Sequence, residues 1–272
     1  MPQLWRAKIV SNQEIAPACF RMVLAGEFEN FTINPGQFIM LKISKGYDPL
    51  LRRPFAVERI KTRQGFFLQL IYKVIGKGTK IMSRMPPGTE VELLGPLGNG
   101  FQIPDKLNTA LVIAGGMGIA SLRGLIYLII ARKIKTIHLF MGAKSASQLI
   151  ASAQLQKMKI LVHLATEDGS AGFAGMVTEI FDDFLRKYSS ISSGSNQTMV
   201  FACGPPKMLA RVASLCEKYN LPCQASLESR MACGIGACLG CAVKVKKPAN
   251  HFSTYVRVCQ EGPVFNAQEI EW

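Results

Sequence analysis

Two kinds of hydrophobic patterning divide the chain. Up to about residue 103 the apolar residues come in short runs rich in β-branched and aromatic side chains: 5–10 (WRAKIV), 20–26 (FRMVLAG), 38–44 (FIMLKIS), 55–60 (FAVERI), 66–74 (FFLQLIYKV) and 91–98 (VELLGPLG). Turn formers separate them at 34–37 (NPGQ), 46–49 (GYDP), 63–65 (RQG) and 86–89 (PPGT). Many short strands with Gly/Pro punctuation predict an antiparallel barrel or sandwich. Beyond Pro104 the pattern lengthens. Strands are expected at 110–113, 137–140, 160–165 and 198–202, alternating with helices at 121–133, 147–157, 177–188 and 206–219. Such alternation predicts a parallel α/β sheet, and the 121–133 helix, apolar nearly all round, suits packing between layers. From Cys223 the chain is rich in Cys and Gly, with little helical pattern. The expected units are therefore 1–103, 104–222 and 223–272.

Composition narrows the functional classes. The chain has 272 residues, 49% hydrophobic and 18% charged, enough to bury a sizeable core and too apolar for global disorder. The longest uncharged apolar run, 109–122, is broken by glycines and falls short of the ~20 residues of a membrane helix. The first residues lack a basic segment followed by an apolar one, so a cytoplasmic protein without a signal peptide is expected. Lys and Arg number 32 against 18 Asp and Glu, a formal charge of +14. This excess is scattered, with only small patches such as Arg52-Arg53, Arg132-Lys133 and Lys246-Lys247. Neither a nucleic-acid motif nor a membrane anchor is expected, and anionic cofactors would offset part of the charge. The Ser-rich 189–195 segment reads as a loop.

Four of the eight cysteines fall in the last 40 residues: Cys233-x4-Cys238-x2-Cys241, then Cys259. This is the plant-type ferredoxin spacing for a 2Fe–2S cluster. Gly234, Gly236 and Gly240 let the backbone wrap close to an inorganic core, and thiolates are the soft anionic donors iron prefers. A zinc site is the alternative, though it would lack a second tight Cys pair. A Rieske centre needs two histidines, and only His251 is near.

Three further motifs bear chemistry. Arg53-Pro54-Phe55-Ala56 enters a strand: the forked guanidinium suits a diphosphate, and Pro-Phe offers a fixed backbone and an aromatic edge. Ile71-Tyr72-Lys73 and the later Gly78-Thr79 follow, the latter able to open a short helix toward phosphate. Gly115-Gly116-Met117-Gly118-Ile119 joins a strand to a helix where a parallel sheet binds a dinucleotide, although Ser121 replaces the third glycine of a full fingerprint. Cys203-Gly204-Pro205 closes another strand at the same edge, and is equally the pattern of a tight strand-to-helix turn. No acidic residue ends the second strand at 140–144, which leaves NAD and NADP both open.

In this order, these motifs make the chain resemble the electron-transfer subunits of NAD-dependent dihydroorotate dehydrogenase, within the ferredoxin–NADP reductase superfamily. The resemblance implies an FAD-binding β-barrel, an NAD-binding α/β domain and a 2Fe–2S tail. It implies that Arg53 to Ala56, Ile71 to Lys73 and Gly78-Thr79 contact FAD, that Gly116 to Ile119 and Cys203 to Pro205 receive the nicotinamide nucleotide, and that Cys233, Cys238, Cys241 and Cys259 ligate the cluster. It further implies a partner, an FMN-containing catalytic subunit, in an assembly of two copies of each. Ala56 departs from the superfamily, which usually has a Ser or Thr near the flavin there. No general acid or base is expected, because the chemistry belongs to the cofactors. Two alternatives stand beside this reading: a ferredoxin:NADP oxidoreductase or sulfide dehydrogenase subunit of the same layout, and a zinc-stabilised nucleotide-binding regulator.

Overall fold

A computed structural model describes residues 2–44, 46–63, 65–189, 197–246 and 254–272. Apart from Ser189, the Ser-rich loop expected at 189–195 lies outside them, as does His251.

The short β-forming runs build β1 (Gln3–Ala16), β2 (Cys19–Ala25), β3 (Phe38–Leu41), β4 (Arg53–Ala56), β5 (Glu58–Thr62), β6 (Gly65–Lys73) and β7 (Glu90–Leu97), with the short helix α1 (Lys77–Met82) between the last two. All pair antiparallel in the order β4-β3-β7-β1-β2-β6-β5. The sheet curls on itself: Phe55 on β4 meets Tyr72 on β6 edge-to-face with ring centroids 5.9 Å apart. Every second residue of β2 and β6, including Met22, Leu24, Leu68, Leu70 and Tyr72, points into one buried core. Each such large apolar side chain stabilises the fold by roughly 1.5–3 kcal/mol.

The second half forms β8 (Thr109–Gly115), α2 (Ile119–Ala131), β9 (Thr136–Ala143), α3 (Ser152–Gln156), β10 (Leu161–Thr166), β11 (Phe173–Ala174), α4 (Val177–Ser189), β12 (Thr198–Cys203) and α5 (Pro206–Lys218). Its sheet runs β11-β10-β9-β8-β12 in parallel and continues through β13 (Cys223–Ser226) to β16 (Val264–Asn266), the last antiparallel. The period-two alternation of β8 separates the layers. Ala110, Val112 and Ala114 pack with α2, while Leu111 and Ile113 pack with α4 and α5.

One expected helix differs. The 147–157 stretch is a single 3₁₀ turn at Ala146–Gln148 followed by α3, with Ala151 at φ +60° between them. The left-handed Ala151 ends the 3₁₀ turn and starts α3 afresh, and the loop before it is tied to a neighbouring loop. The Ala146 N–H donates to Ser170 Oγ at 2.7 Å, and the Ser145 and Ser147 hydroxyls bond each other at 2.9 Å.

The tail adds a small hairpin of β14 (Ala242–Lys244) and β15 (Tyr255–Arg257). It does not hang free: β13 and β16 both lie in the second sheet.

Candidate functional site

The tail cysteines converge around a loop bent by left-handed backbone at Gly234 (φ +74°), Gly236 (φ +83°) and Leu239 (φ +59°). Those bends turn N–H groups toward sulfur. Gly236 donates to Cys259 Sγ at 3.1 Å, Cys238 to Cys233 Sγ at 3.4 Å, and Cys259 to Cys241 Sγ at 3.4 Å. Burial pushes the Cys233 thiol up, but the N–H groups of Ile235, Cys238 and Ala237, together with the Cys238 thiol, outweigh it and bring the pKa to about 6. Cys259 is pushed up to about 12 by burial and by the neighbouring Cys241 thiol. The Arg257 guanidinium donates to the Gly236 carbonyl at 3.0 Å and pairs with Glu261, tying the loop to the turn that bears Cys259.

The thiols thus meet as two pairs, Cys233 with Cys238 and Cys241 with Cys259. Among the described residues, no three His, Cys, Asp or Glu side chains are placed to hold one metal ion. Two facing pairs with N–H groups on the sulfurs fit a binuclear iron–sulfur group, which needs two thiolates on each iron; a single zinc would need all four at one point.

This loop rests on the barrel. Cys241, Val258 and Cys259 pack against Phe38 and Met40 of β3. A Cβ on Gly234 would come within 2.5 Å of Met40 Cγ, so only glycine permits this approach. β3 pairs along one edge with β4, Phe38 opposite Ala56 and Met40 opposite Pro54, and along the other with β7. The cysteine loop therefore lies against a strand that pairs directly with the Arg-Pro motif, and neighbouring strands lie only about 4.8 Å apart.

On the flavin side, Arg53 lies over Gly78, where a Cβ would come 3.3 Å from its Nε. The guanidinium donates only to the carbonyls of Leu51 and Arg52 and has no carboxylate partner among the described residues. An unneutralised guanidinium beside the first turn of α1 fits an anionic diphosphate. Thr79 serves locally, its hydroxyl accepting from the N–H groups of Ile75 (3.0 Å) and Gly76 (3.2 Å). The Ile71-Tyr72-Lys73 strand splits by face. The Tyr72 side chain is buried in the barrel, its hydroxyl donating to Asn12 Oδ1 at 2.9 Å and pushed up to about 12 by burial. Ile71 instead packs among the residues around α2.

On the nucleotide side, the two turns meet at the carboxyl edge of β8 and β12, where Cys203 pairs with Ala114. Gly115 lies against Pro205 and Met208, and a Cβ on Gly204 would come 3.0 Å from the Gly115 backbone. Gly116 sits at φ +53° with open space where its Cβ would be. The Met117 and Ile119 side chains belong to packing, which leaves the backbone of the turn to a ligand. The Cys203 thiol is fully buried and pushed up to about 12 by burial and by Glu228, while hydrogen bonds from Ser121 and Ser226 oppose the rise. It is an inert thiol, not a nucleophile. Burial also raises the Glu228 carboxyl.

A curled antiparallel barrel, a parallel nucleotide sheet and a four-cysteine loop resting on barrel strand β3 define an iron–sulfur flavoprotein of the pyridine-nucleotide oxidoreductase class. Family models match accordingly: an oxidoreductase FAD-binding domain over 6–101, an oxidoreductase NAD-binding domain over 112–214, and the iron–sulfur cluster binding domain of dihydroorotate dehydrogenase B over 228–271. The dihydroorotate dehydrogenase B (NAD(+)) electron transfer subunit of Desulforamulus reducens is 33% identical, covering 100% of both chains. That of Enterococcus faecalis is 37% identical over 96% of each. Among solved structures, an NADH-dependent reduced ferredoxin-NADP oxidoreductase matches with TM-score 0.81 and 26% identity, over 98% of this chain and 90% of that one. The chain belongs to the family of dihydroorotate dehydrogenase B (NAD(+)) electron transfer subunits. It is an oxidoreductase subunit with domains for FAD, NAD and an iron–sulfur cluster.

Two charged residues had no sequence signal. Glu228 lies beside the Cys203 turn only because β13 pairs with β12, and Glu58 meets Arg123 only because two domains touch.

Proposed function

We propose that the chain carries electrons between an FMN-containing catalytic subunit and NAD+, with two copies of each subunit in a cytoplasmic assembly. The units at 1–103, 104–222 and 223–272 take FAD, nicotinamide nucleotide and the 2Fe–2S cluster in turn. When bound, FAD couples the two-electron chemistry of nicotinamide to the one-electron chemistry of the cluster. Arg53 holds the flavin diphosphate, with the Gly78-Thr79 turn beneath it. Pro54, Phe55 and Ala56, with Ile71, Tyr72 and Lys73, form the strands against which the ring system lies. Gly116 to Ile119 and Cys203 to Pro205 receive the nicotinamide nucleotide. Cys233, Cys238, Cys241 and Cys259 hold the cluster.

The observation that carries this reading is the single strand, β3, shared by the cysteine loop and the Arg-Pro motif. The partner docks on the outer side of that loop, where Cys238 is exposed between Ile235 and Leu239, 51% and 62% exposed.

Anaerobic purification with visible spectroscopy and metal analysis tests it. Flavin bands, broad absorption near ~420–550 nm and about two irons per chain are expected. Co-expression with the FMN subunit should give dihydroorotate-dependent NAD+ reduction. A colourless, zinc-containing protein would end this reading.

A further inference from the structure

The two cofactor-bearing domains meet through an interface of mostly sulfur and aliphatic contacts, including Cys19 Sγ against Met117 Sδ at 3.8 Å. Ile71 joins the cluster around Ile119 and Leu122. Within it sits a largely buried pair of opposite charges. Arg123, on the second turn of α2, places its Nε 3.5 Å from Glu58 Oε2 at the start of β5, with the side chains 9% and 17% exposed. Both ends are held. The Gln69 amide donates to Glu58 Oε2 at 3.4 Å. Arg123 Nη2 donates to the Tyr127 hydroxyl at 3.1 Å, which also accepts from the Gln154 amide at 3.3 Å.

The position of the pair in the chain gives it meaning. Glu58 comes two residues after the Arg53–Ala56 strand, with Val57 buried between. Arg123 comes five residues after Gly118, on the helix that begins at the glycine turn. The pair therefore couples the strand of the flavin motif to the helix of the nucleotide turn. Taking two charges out of water costs more than a surface pair returns, so such a pair contributes specificity of arrangement rather than net stability. The charge contact is not aligned as a hydrogen bond, Arg123 Nε being buried without a hydrogen-bond partner among the described residues, so the arrangement is fixed by the Gln69 and Tyr127 bonds at its two ends.

We propose that Glu58 and Arg123 are positioning residues that set the distance and angle at which nicotinamide meets flavin, so that hydride transfer depends on this pair although neither residue touches a reacting atom. The inference rests on the proposed flavin and nucleotide sites. Bringing donor and acceptor into a near-attack arrangement is worth orders of magnitude in rate, and small misplacement loses much of it.

The experiment uses the holo chain carrying FAD and its cluster. Glu58→Gln, Arg123→Met and the charge exchange Glu58→Arg/Arg123→Glu are compared by stopped-flow reduction of the flavin with NADH. Each single variant should reduce at saturating NADH at least tenfold more slowly and lose the long-wavelength NADH–flavin charge-transfer absorption. FAD content and NADH affinity should stay within about threefold of wild type, and the flavin potential should be unshifted. The exchange should recover most of the rate and the absorption band. Should Arg123→Met not fold, the isosteric Glu58→Gln carries the same expectation. Unchanged rates in the single variants, or a charge exchange as slow as the single variants, would overturn the proposal. If the wild type itself is not reduced by NADH, the electron-transfer reading fails instead. The pair is then judged by amide hydrogen exchange in β5 and α2, which the single variants should accelerate and the exchange restore; no acceleration overturns it.

Discussion

Gly118 cannot accept a side chain, because a Cβ there would fall on the carbonyl of Cys203. The obstacle is backbone, so the glycine turn and the Cys203-Gly204-Pro205 turn would have to separate. Gly118→Ala should therefore cost about 1–3 kcal/mol of stability. It should also raise the KM for NADH by about tenfold, the equivalent of ~1.4 kcal/mol. Thermal unfolding and steady-state kinetics check the two together, and a variant with a normal KM would free this turn of its assigned role. The glycine turn and the cysteine spacing are visible in the sequence as patterns, since both kinds of residue act through local backbone and spacing. The roles of neighbouring side chains are not. The sequence does not show that the Thr79 hydroxyl bonds its own helix start or that the Tyr72 hydroxyl bonds Asn12. Only the fold reveals which face of a strand or turn each presents.

Strands β9 and β10 carry a feature of their own. His138 Nδ1 and His163 Nε2 lie 3.0 Å apart, in a stack with Phe140 and under Phe184 of α4. Burial, and then the neighbouring His163, lower the His138 pKa from 6.5 to about 4, and burial lowers His163 too. Between pH 6.5 and 4 the unfolded chain thus binds more protons than the folded one. The stabilisation is complete above pH 6.5 and fades as the pH falls through this window. Because the His138 ring is only half buried, the effect is on the order of 1 kcal/mol. Denaturant midpoints recorded against pH should show a shallower acid limb for His138→Gln, and an unaltered limb would remove the pair from the account. The elements themselves were largely legible, since a period of two on one half and helix-length apolar stretches on the other are direct consequences of backbone geometry. The 147–157 stretch is not one helix because the chain turns left-handed at Ala151, φ +60°, which a local apolar pattern does not reveal.

At the scale of the molecule, the three cofactor units are joined in two different ways. The cysteine loop leans on β3 through Met40 and Phe38, whereas the end of the tail is hydrogen-bonded into the nucleotide sheet through β16. Removing the cluster with a chelator and reductant should therefore loosen residues 231–246, raising their amide exchange at least tenfold, while 264–266 keep their protection. Uniform loss of protection across the tail would show that the metal, not the sheet, secures it. The order of the units along the sequence is visible in their composition. Their mutual arrangement is not, because β16 is three residues long and pairs with a strand some forty positions earlier. That pairing has a consequence during synthesis. A ribosome delivers the barrel and six parallel strands of the second sheet well before residues 264–266 emerge, so β13 waits with one edge bare. Chains interrupted after about residue 260 would possess every flavin and nucleotide motif and yet present an open strand edge, the kind of surface on which nascent proteins aggregate or recruit chaperones.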